Sequence, residues 1–238
     1  MLISLKDQVV LVVGASSGIG RETAVLFAKE GAKVMASARR EDRLAQLKAE
    51  HPAIETFAAD ASVPFEMENL VLETRGRLGQ IDIVVFAAGT NTPDRAMSRL
   101  NVEIWDMMVG ANLNAAYYLT RAVLPVMRTR KAGHLIYISS ISGLLPDVSG
   151  ASYQAAKRGL VGMAHAIRVE EKENGIRTCV ICPGLVETEL LEKRPVKPSA
   201  ETLAKALQPV DVAETVLAVA KLPARVAVPE MQVMPTQL

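Results

Sequence analysis

The sequence predicts a doubly wound α/β fold, a seven-stranded parallel sheet with helices on both faces. Short apolar runs recur at regular intervals along the 238 residues, and helical patterns separate them. Half the residues are apolar, so a full core is available and disorder is excluded. Strand–helix alternation of this kind winds into right-handed crossovers and a parallel sheet covered on both sides. With no linker, repeat or low-complexity stretch, residues 1–238 read as one domain.

Taken in order, Val9–Val13 is uniformly apolar and reads as a strand buried on both faces. Helix Arg21–Glu30 follows, with Ile19, Thr23, Leu26 and Phe27 at helical spacing and Gly31 as its stop. The cycle repeats through strand Lys33–Ser37, helix Asp42–Glu50, strand Ile54–Ala58, helix Phe65–Arg75 and strand Ile81–Phe86. A long helical stretch covers Val102–Arg128, with Pro125 expected to bend its last turns. Strand His134–Ser139, helix Ser152–Glu173 and strand Ile176–Ile181 come next. Helices Glu201–Leu207 and Val210–Ala220 and a last strand Val226–Val233 complete the chain.

The charge balance excludes several classes. Lys and Arg number 27 against 26 Asp and Glu, a net +1, too even for a protein whose main task is neutralising a nucleic-acid backbone. No apolar run approaches the ~18 residues of a membrane span. The start Met1-Leu2-Ile3-Ser4-Leu5-Lys6-Asp7 puts charges where a signal peptide needs apolar residues. Two cysteines make no disulfide framework, and the expected location is the reducing cytoplasm.

Gly14, Gly18 and Gly20 lie where the first strand passes into its helix, spaced G-x3-G-x-G. A backbone without Cβ lets a pyrophosphate approach the N–H groups of a helix N-terminus, where the macrodipole favours negative charge. Ser16 and Ser17 add short hydroxyl donors. The spacing differs from the G-x-G-x-x-G fingerprint, and glycines in such a turn can be purely structural, so the flanking strand and helix carry the reading.

Val13-Gly14-Ala15-Ser16-Ser17-Gly18-Ile19-Gly20 resembles the T-G-x3-G-I-G turn of the short-chain dehydrogenase/reductase family, with Val13 where that family usually has Thr. Length, strand count and motif order agree over essentially the whole chain. The resemblance implies a Rossmann-type fold and a nicotinamide coenzyme held at Gly14, Ser16, Ser17, Gly18, Ile19 and Gly20. The acid that grips the adenosine ribose in NAD-binding folds falls at Ala38 here, and Arg39 and Arg40 follow it. A guanidinium there suits a ribose 2′-phosphate, which predicts NADP(H) over NAD(H). Two exposed arginines opening the next helix are the plainer alternative. Asp60-Ala61 matches the family position at the adenine. Ala87-Ala88-Gly89 stands where the family shows N-N-A-G, with Phe86 and Ala87 replacing both asparagines.

Tyr153 and Lys157 are spaced i and i+4, on one helix face. A phenol of pKa about 10 is a poor base at neutral pH, and a nearby ammonium with an oxidised nicotinamide ring lowers it. In isolation the pair reads more readily as a core Tyr beside a surface Lys. Ser140, at the end of a strand and thirteen residues before Tyr153, completes the S-x12-Y-x3-K signature of the short-chain dehydrogenases. That resemblance implies that Tyr153 moves the proton, Ser140 stabilises the carbonyl oxygen, and Lys157 binds the nicotinamide ribose and tunes Tyr153. It also makes Asn112 the anchor of a relay water, with Asn114 a competitor by type. Ser139 competes with Ser140 but lacks the spacing.

Cys182-Pro183-Gly184-Leu185-Val186-Glu187-Thr188 resembles the family's P-G-x-[VI]-x-T segment at the nicotinamide carboxamide, implying roles for Pro183, Gly184, Val186 and Thr188. Cys179 and Cys182 sit three apart on a strand, face opposite ways and read as core thiols. His51, His134 and His165 lack spaced partners, so no metal site is expected. Arg121, Arg128, Arg130 and Lys131 read as a solvated helix end. Met97, Met107 and Met108 suit either a substrate pocket or the core.

The substrate loop, about residues 189–208, is short, which disfavours a bulky ligand such as an acyl-carrier protein. The tail Pro229–Gln237 looks like the ending of the subgroup acting on serine or 3-hydroxy acids. The expectation is an NADP(H)-dependent oxidoreductase of a small carbonyl or secondary alcohol, assembled as a homodimer or homotetramer through its long helices. The rivals are an NADP-sensing regulator without turnover and an NAD-dependent alcohol dehydrogenase of the same fold.

Overall fold

The structure is a computed structural model that describes residues 2–237. Its first half alternates β1 (Val9–Val13), α1 (Gly18–Lys29), β2 (Lys33–Ala38), α2 (Glu41–Glu50), β3 (Ile54–Ala58), α3 (Pro64–Leu78) and β4 (Ile81–Phe86). Next come α4 (Val102–Val109), α5 (Ala115–Arg130), β5 (Gly133–Ile138), α6 (Ala151–Glu170) and β6 (Ile176–Pro183). The chain closes with α7 (Ala200–Ala204), α8 (Pro209–Ala220) and β7 (Glu230–Val233).

The seven strands form one sheet in the order β3-β2-β1-β4-β5-β6-β7, and every neighbouring pair is parallel. The winding reverses between β1 and β4, and that reversal opens a crevice at their carboxyl ends. Ala87 N–H donates to Val13 O at 2.8 Å and Gly14 N–H to Ser37 O at 2.8 Å, tying the three strand ends together.

Alternate residues of each strand serve opposite layers, as a two-residue side-chain period requires. Val10, Val12, Ile83, Val85, Ile136, Cys179 and Ile181 pack with α1, α2 and α8. Leu11, Val13, Val84, Phe86, Leu135, Val180 and Cys182 pack with α3, α5 and α6. Cys179 and Cys182 thus belong to different layers, and burial pushes their thiols up to about 12 and about 11.

Four expected boundaries need correction. The Val102–Arg128 stretch is two helices, and its departure from α geometry falls in a π-helical turn at Gly110–Asn114. α5 runs through Pro125 to Arg130. The last strand covers Glu230–Val233 instead of Val226–Val233, because Pro229 has no N–H for the ladder and Val226 closes a turn by donating to Pro223 O. The helix expected at Glu201–Leu207 is the five-residue α7, started by Ser199, whose Oγ accepts from Thr202 N at 3.1 Å. The helix expected to Glu173 ends at Glu170, where a 3-10 turn (Lys172–Asn174) takes over.

Candidate active site

A cavity of about 860 Å³ opens along the carboxyl edge of the sheet, within the range of small-molecule and cofactor sites. Its floor is the β1–α1 turn. Gly14 has φ +92°, and a Cβ there would lie 2.5 Å from the Ala88 amide nitrogen, so only glycine lets β1 and β4 end this close together. A Cβ on Gly20 would run into the Gly14 carbonyl. The amides of Gly18, Ile19 and Gly20 have no acceptor within α1. No side chain caps that helix end, its first turn holds no acid, and the three residues line the cavity. Uncapped donors on a Cβ-free floor fit the pyrophosphate of a dinucleotide.

Arg40 lies across this floor. Its Nη2 donates to Ser17 Oγ at 2.7 Å and to Ser16 Oγ at 2.9 Å, and its Nη1 to Glu189 Oε2 at 2.7 Å. Arg39 projects outward, 71% exposed, with Nη1 3.8 Å from Asp60 Oδ2. Asp60 turns back on Ser62, whose N–H and hydroxyl both donate to Oδ1. Arg39, Arg40, Asp60 and Ala61 line one end of the cavity; Ala87, Ala88 and Gly89 line its middle, with Pro183, Gly184, Val186 and Thr188 opposite.

Ser140, Tyr153 and Lys157 line the same cavity. Lys157 is buried, donates from Nζ to Ile138 O at 3.1 Å, and lies 5.7 Å from the centre of the Tyr153 ring. Burial lowers its pKa to about 8. Burial also pushes the Tyr153 phenol up to about 12, with the Ser140 hydroxyl pulling it back. The lowering expected from the ammonium belongs to a site that also holds an oxidised nicotinamide ring; in the protein alone loss of solvent outweighs the Ser140 hydroxyl. Tyr153 is therefore a phenol at neutral pH, the form that donates a proton. Ser139 faces inward, its Oγ donating to Lys157 O at 3.0 Å, and it braces strand against helix.

Asn112 sits behind Gly89 of the cavity wall. Its side chain is fully buried and does not line the cavity. Nδ2 donates to Thr90 O at 3.0 Å and to Met108 O at 2.9 Å, and Oδ1 accepts from Thr90 N at 3.0 Å. The π-helical turn presents it to the segment after β4, where it grips both backbone groups of Thr90. This pair of hydrogen bonds and the Ala87–Val13 backbone hydrogen bond hold the strand ends where the family's asparagines are missing.

Sequence reasoning missed the polar segment after β4. Asn91 and Arg95 line the cavity, as do Asp147 and Arg194, and Met107 is the one of the three methionines discussed above that does so. The run Thr90-Asn91-Thr92-Pro93-Asp94-Arg95 follows a buried strand at its carboxyl end, which was the available signal.

A parallel sheet with its winding reversal over a glycine-floored cavity, and a phenol, a lysine and a serine on one wall, defines an α/β oxidoreductase. The chain belongs to the short-chain dehydrogenase family, whose model matches residues 8–198. An uncharacterized oxidoreductase of Staphylococcus saprophyticus is 34% identical over 242 residues, covering 98% of this chain and all of that relative. The closed form of a serine dehydrogenase complexed with NADP+ superimposes with a TM-score of 0.90 at 33% identity, over 97% of this chain and 96% of that one. Actinorhodin polyketide ketoreductase with NADPH gives 0.88 at 31% identity, over 99% and 98%.

Proposed function

We propose that this chain reduces a small ketone or aldehyde with NADPH and, in reverse, oxidises the corresponding secondary alcohol or hydroxy acid with NADP+. The observation that carries the reading is the gathering of Ser140, Tyr153 and Lys157 on the wall of the cavity whose floor is the uncapped end of α1. The amides of α1 and the serines Ser16 and Ser17 would hold the pyrophosphate, Arg40 and Arg39 a ribose 2′-phosphate, and Lys157 the ribose beside the nicotinamide. Serine dehydrogenase with NADP+ and the ketoreductase with NADPH support this coenzyme. A coenzyme bound there supplies the hydride that the carbonyl carbon receives.

The protein's part is positioning and proton transfer. The Ser140 hydroxyl donates to the substrate carbonyl oxygen, and Tyr153 gives that oxygen its proton as negative charge develops. The Lys157 ammonium offsets the phenolate left behind. A phenol held up to about 12 by burial favours the protonated starting form for reduction. Exposed apolar residues on α4, α5 and α6 (Val102, Trp105, Tyr117, Val169) support assembly as a dimer or tetramer through these helices. Among the described residues no helix is long and apolar enough to cross a membrane.

The test is oxidation of NADPH, and separately of NADH, against a panel of small carbonyls. The expected result is turnover with NADPH preferred, and loss of at least a hundredfold in kcat on Tyr153→Phe, within the range of a positioned acid. Coenzyme binding without turnover would favour the sensor, and a Tyr153→Phe protein within tenfold of wild type would remove Tyr153 from the mechanism.

A further inference from the structure

Among the described residues, Arg95 in the cavity has no counter-ion. Arg95 is 8% exposed and lines the cavity wall. Its Nε donates to Thr92 O at 3.0 Å and its Nη2 to Lys193 O at 2.8 Å, so its two protein partners are neutral carbonyls. Arg194 lines the same wall with no carboxylate pair among the described residues, and Lys193 donates from Nζ to Thr90 Oγ1 at 2.5 Å. Both arginines act on Tyr153, each drawing its phenol down. The cations at the coenzyme end are arranged otherwise, because Arg40 and Arg43 pair with Glu189 and Arg39 lies near Asp60.

We propose that Arg95 and Arg194 form a carboxylate subsite beside Tyr153, so that the substrate is a small carbonyl or alcohol bearing a carboxylate. A buried guanidinium held by two carbonyls keeps its desolvation cost and leaves N–H donors unspent, and a carboxylate satisfies both. The planar fork of Arg95 is fixed before the substrate arrives, its position set by Thr92 on one side and Lys193 on the other. Asp147 limits the charge the site accepts. It lines the cavity with Oδ2 accepting from the hydroxyls of Ser142 and Ser149, and its field opposes that of the arginines on both Tyr153 and Arg95. One negative charge suits this balance better than the two of a phosphate. The bond from Arg95 to the Lys193 carbonyl also ties residue 193 of the expected substrate loop to the same wall. The subsite deepens the proposed reductase reading by naming its substrate class, and it can be read by binding alone.

The experiment is calorimetric titration of the protein with 3-hydroxybutyrate and with its primary amide, the same skeleton without the charge, at saturating NADP+ and without it. The acid is expected to bind at least tenfold tighter than the amide. Arg194→Met is expected to bring that ratio toward one, and Arg95→Lys, which keeps the charge and loses the fork, to lower it several-fold. Circular dichroism of both variants separates a lost subsite from a lost fold. Equal binding of acid and amide by the wild type, or a ratio unchanged in both folded variants, overturns the subsite. Tight, arginine-dependent acid binding without turnover of any hydroxy acid or carbonyl leaves the subsite standing and overturns the reductase reading. Turnover of neutral ketones without acid preference does the reverse.

Discussion

α1 and α8 are twelve-residue helices packed side by side on one face of the sheet, and they begin in opposite ways. α8 opens with Pro209 and closes on itself, the Asp211 carboxylate accepting from Gln208 N at 2.7 Å. α1 opens with three residues that include two glycines, has no acid in its first turn and no side-chain cap. At the start of α8 the Gln208 amide is answered by Asp211 and Pro209 has no N–H to satisfy, whereas the first amides of α1 face a cavity. A helix end left unanswered at a strand's carboxyl edge gives up local stability in exchange for an anion site, and that difference separates scaffold from site within one layer.

The comparison can be broken by closing α1 as α8 is closed. Ser17→Asp supplies an N-cap carboxylate, which should raise stability by about 0.5–1 kcal/mol. A fixed negative charge within a few ångströms of a pyrophosphate, at an effective dielectric near 20, costs about 4 kcal/mol. The expected outcome is coenzyme affinity at least a hundredfold weaker by NADPH fluorescence, in a protein that melts no lower than wild type. Unchanged affinity would remove the helix end from the coenzyme site. A smaller loss is expected beside the turn. Arg40→Ala should lower the ratio of NADPH to NADH efficiency about tenfold and Arg39→Ala several-fold, since Arg40 touches Ser16 and Ser17 while Arg39 points outward. A ratio unmoved in both would end the case for NADP preference.

The mirror-image change belongs to α8. Asp211→Asn should cost about 1 kcal/mol and lower Tm by roughly 2–4 °C, with coenzyme affinity unaltered. The smallest effect concerns pH. Partial charges on the α1 amides do not titrate, whereas burial lowers Lys157 to about 8, so its ammonium is lost as pH rises through that value. NADPH affinity should therefore weaken two- to fivefold between pH 7 and 9, and Lys157→Met should bind weakly with a flat profile.

Much of this architecture was legible in the residues. The seven strands were readable because each is a short apolar run bounded by turns, and their parallel pairing follows from the helices between them. The glycine turn and the Ser140, Tyr153, Lys157 spacing were likewise visible, since both are patterns along the chain. The π-helical turn at Gly110–Asn114 was not, because its hydrogen bonds are one residue longer than those of the helices beside it, with no distinct apolar period. Asn112 read through the family resemblance as the anchor of a relay water, and only the fold shows that its amide clamps Thr90. The late strand shortened at Pro229, a breaker that the apolar pattern overrode.

Order along the chain therefore determined the strands, the helices, the layer each side chain serves and the end of the sheet where chemistry belongs, because local periodicity and chirality govern those choices. Tertiary structure alone decided that Arg40 lies over Ser17 and reaches Glu189, that burial outweighs the Ser140 hydroxyl at the Tyr153 phenol, and that Arg95 is held by Thr92 and Lys193 with no counter-ion among the described residues. Glu189 stands 149 positions from Arg40 and Lys193 98 from Arg95. Charge and desolvation act through space, and no pattern of neighbours along the chain encodes which groups that far apart will share a wall.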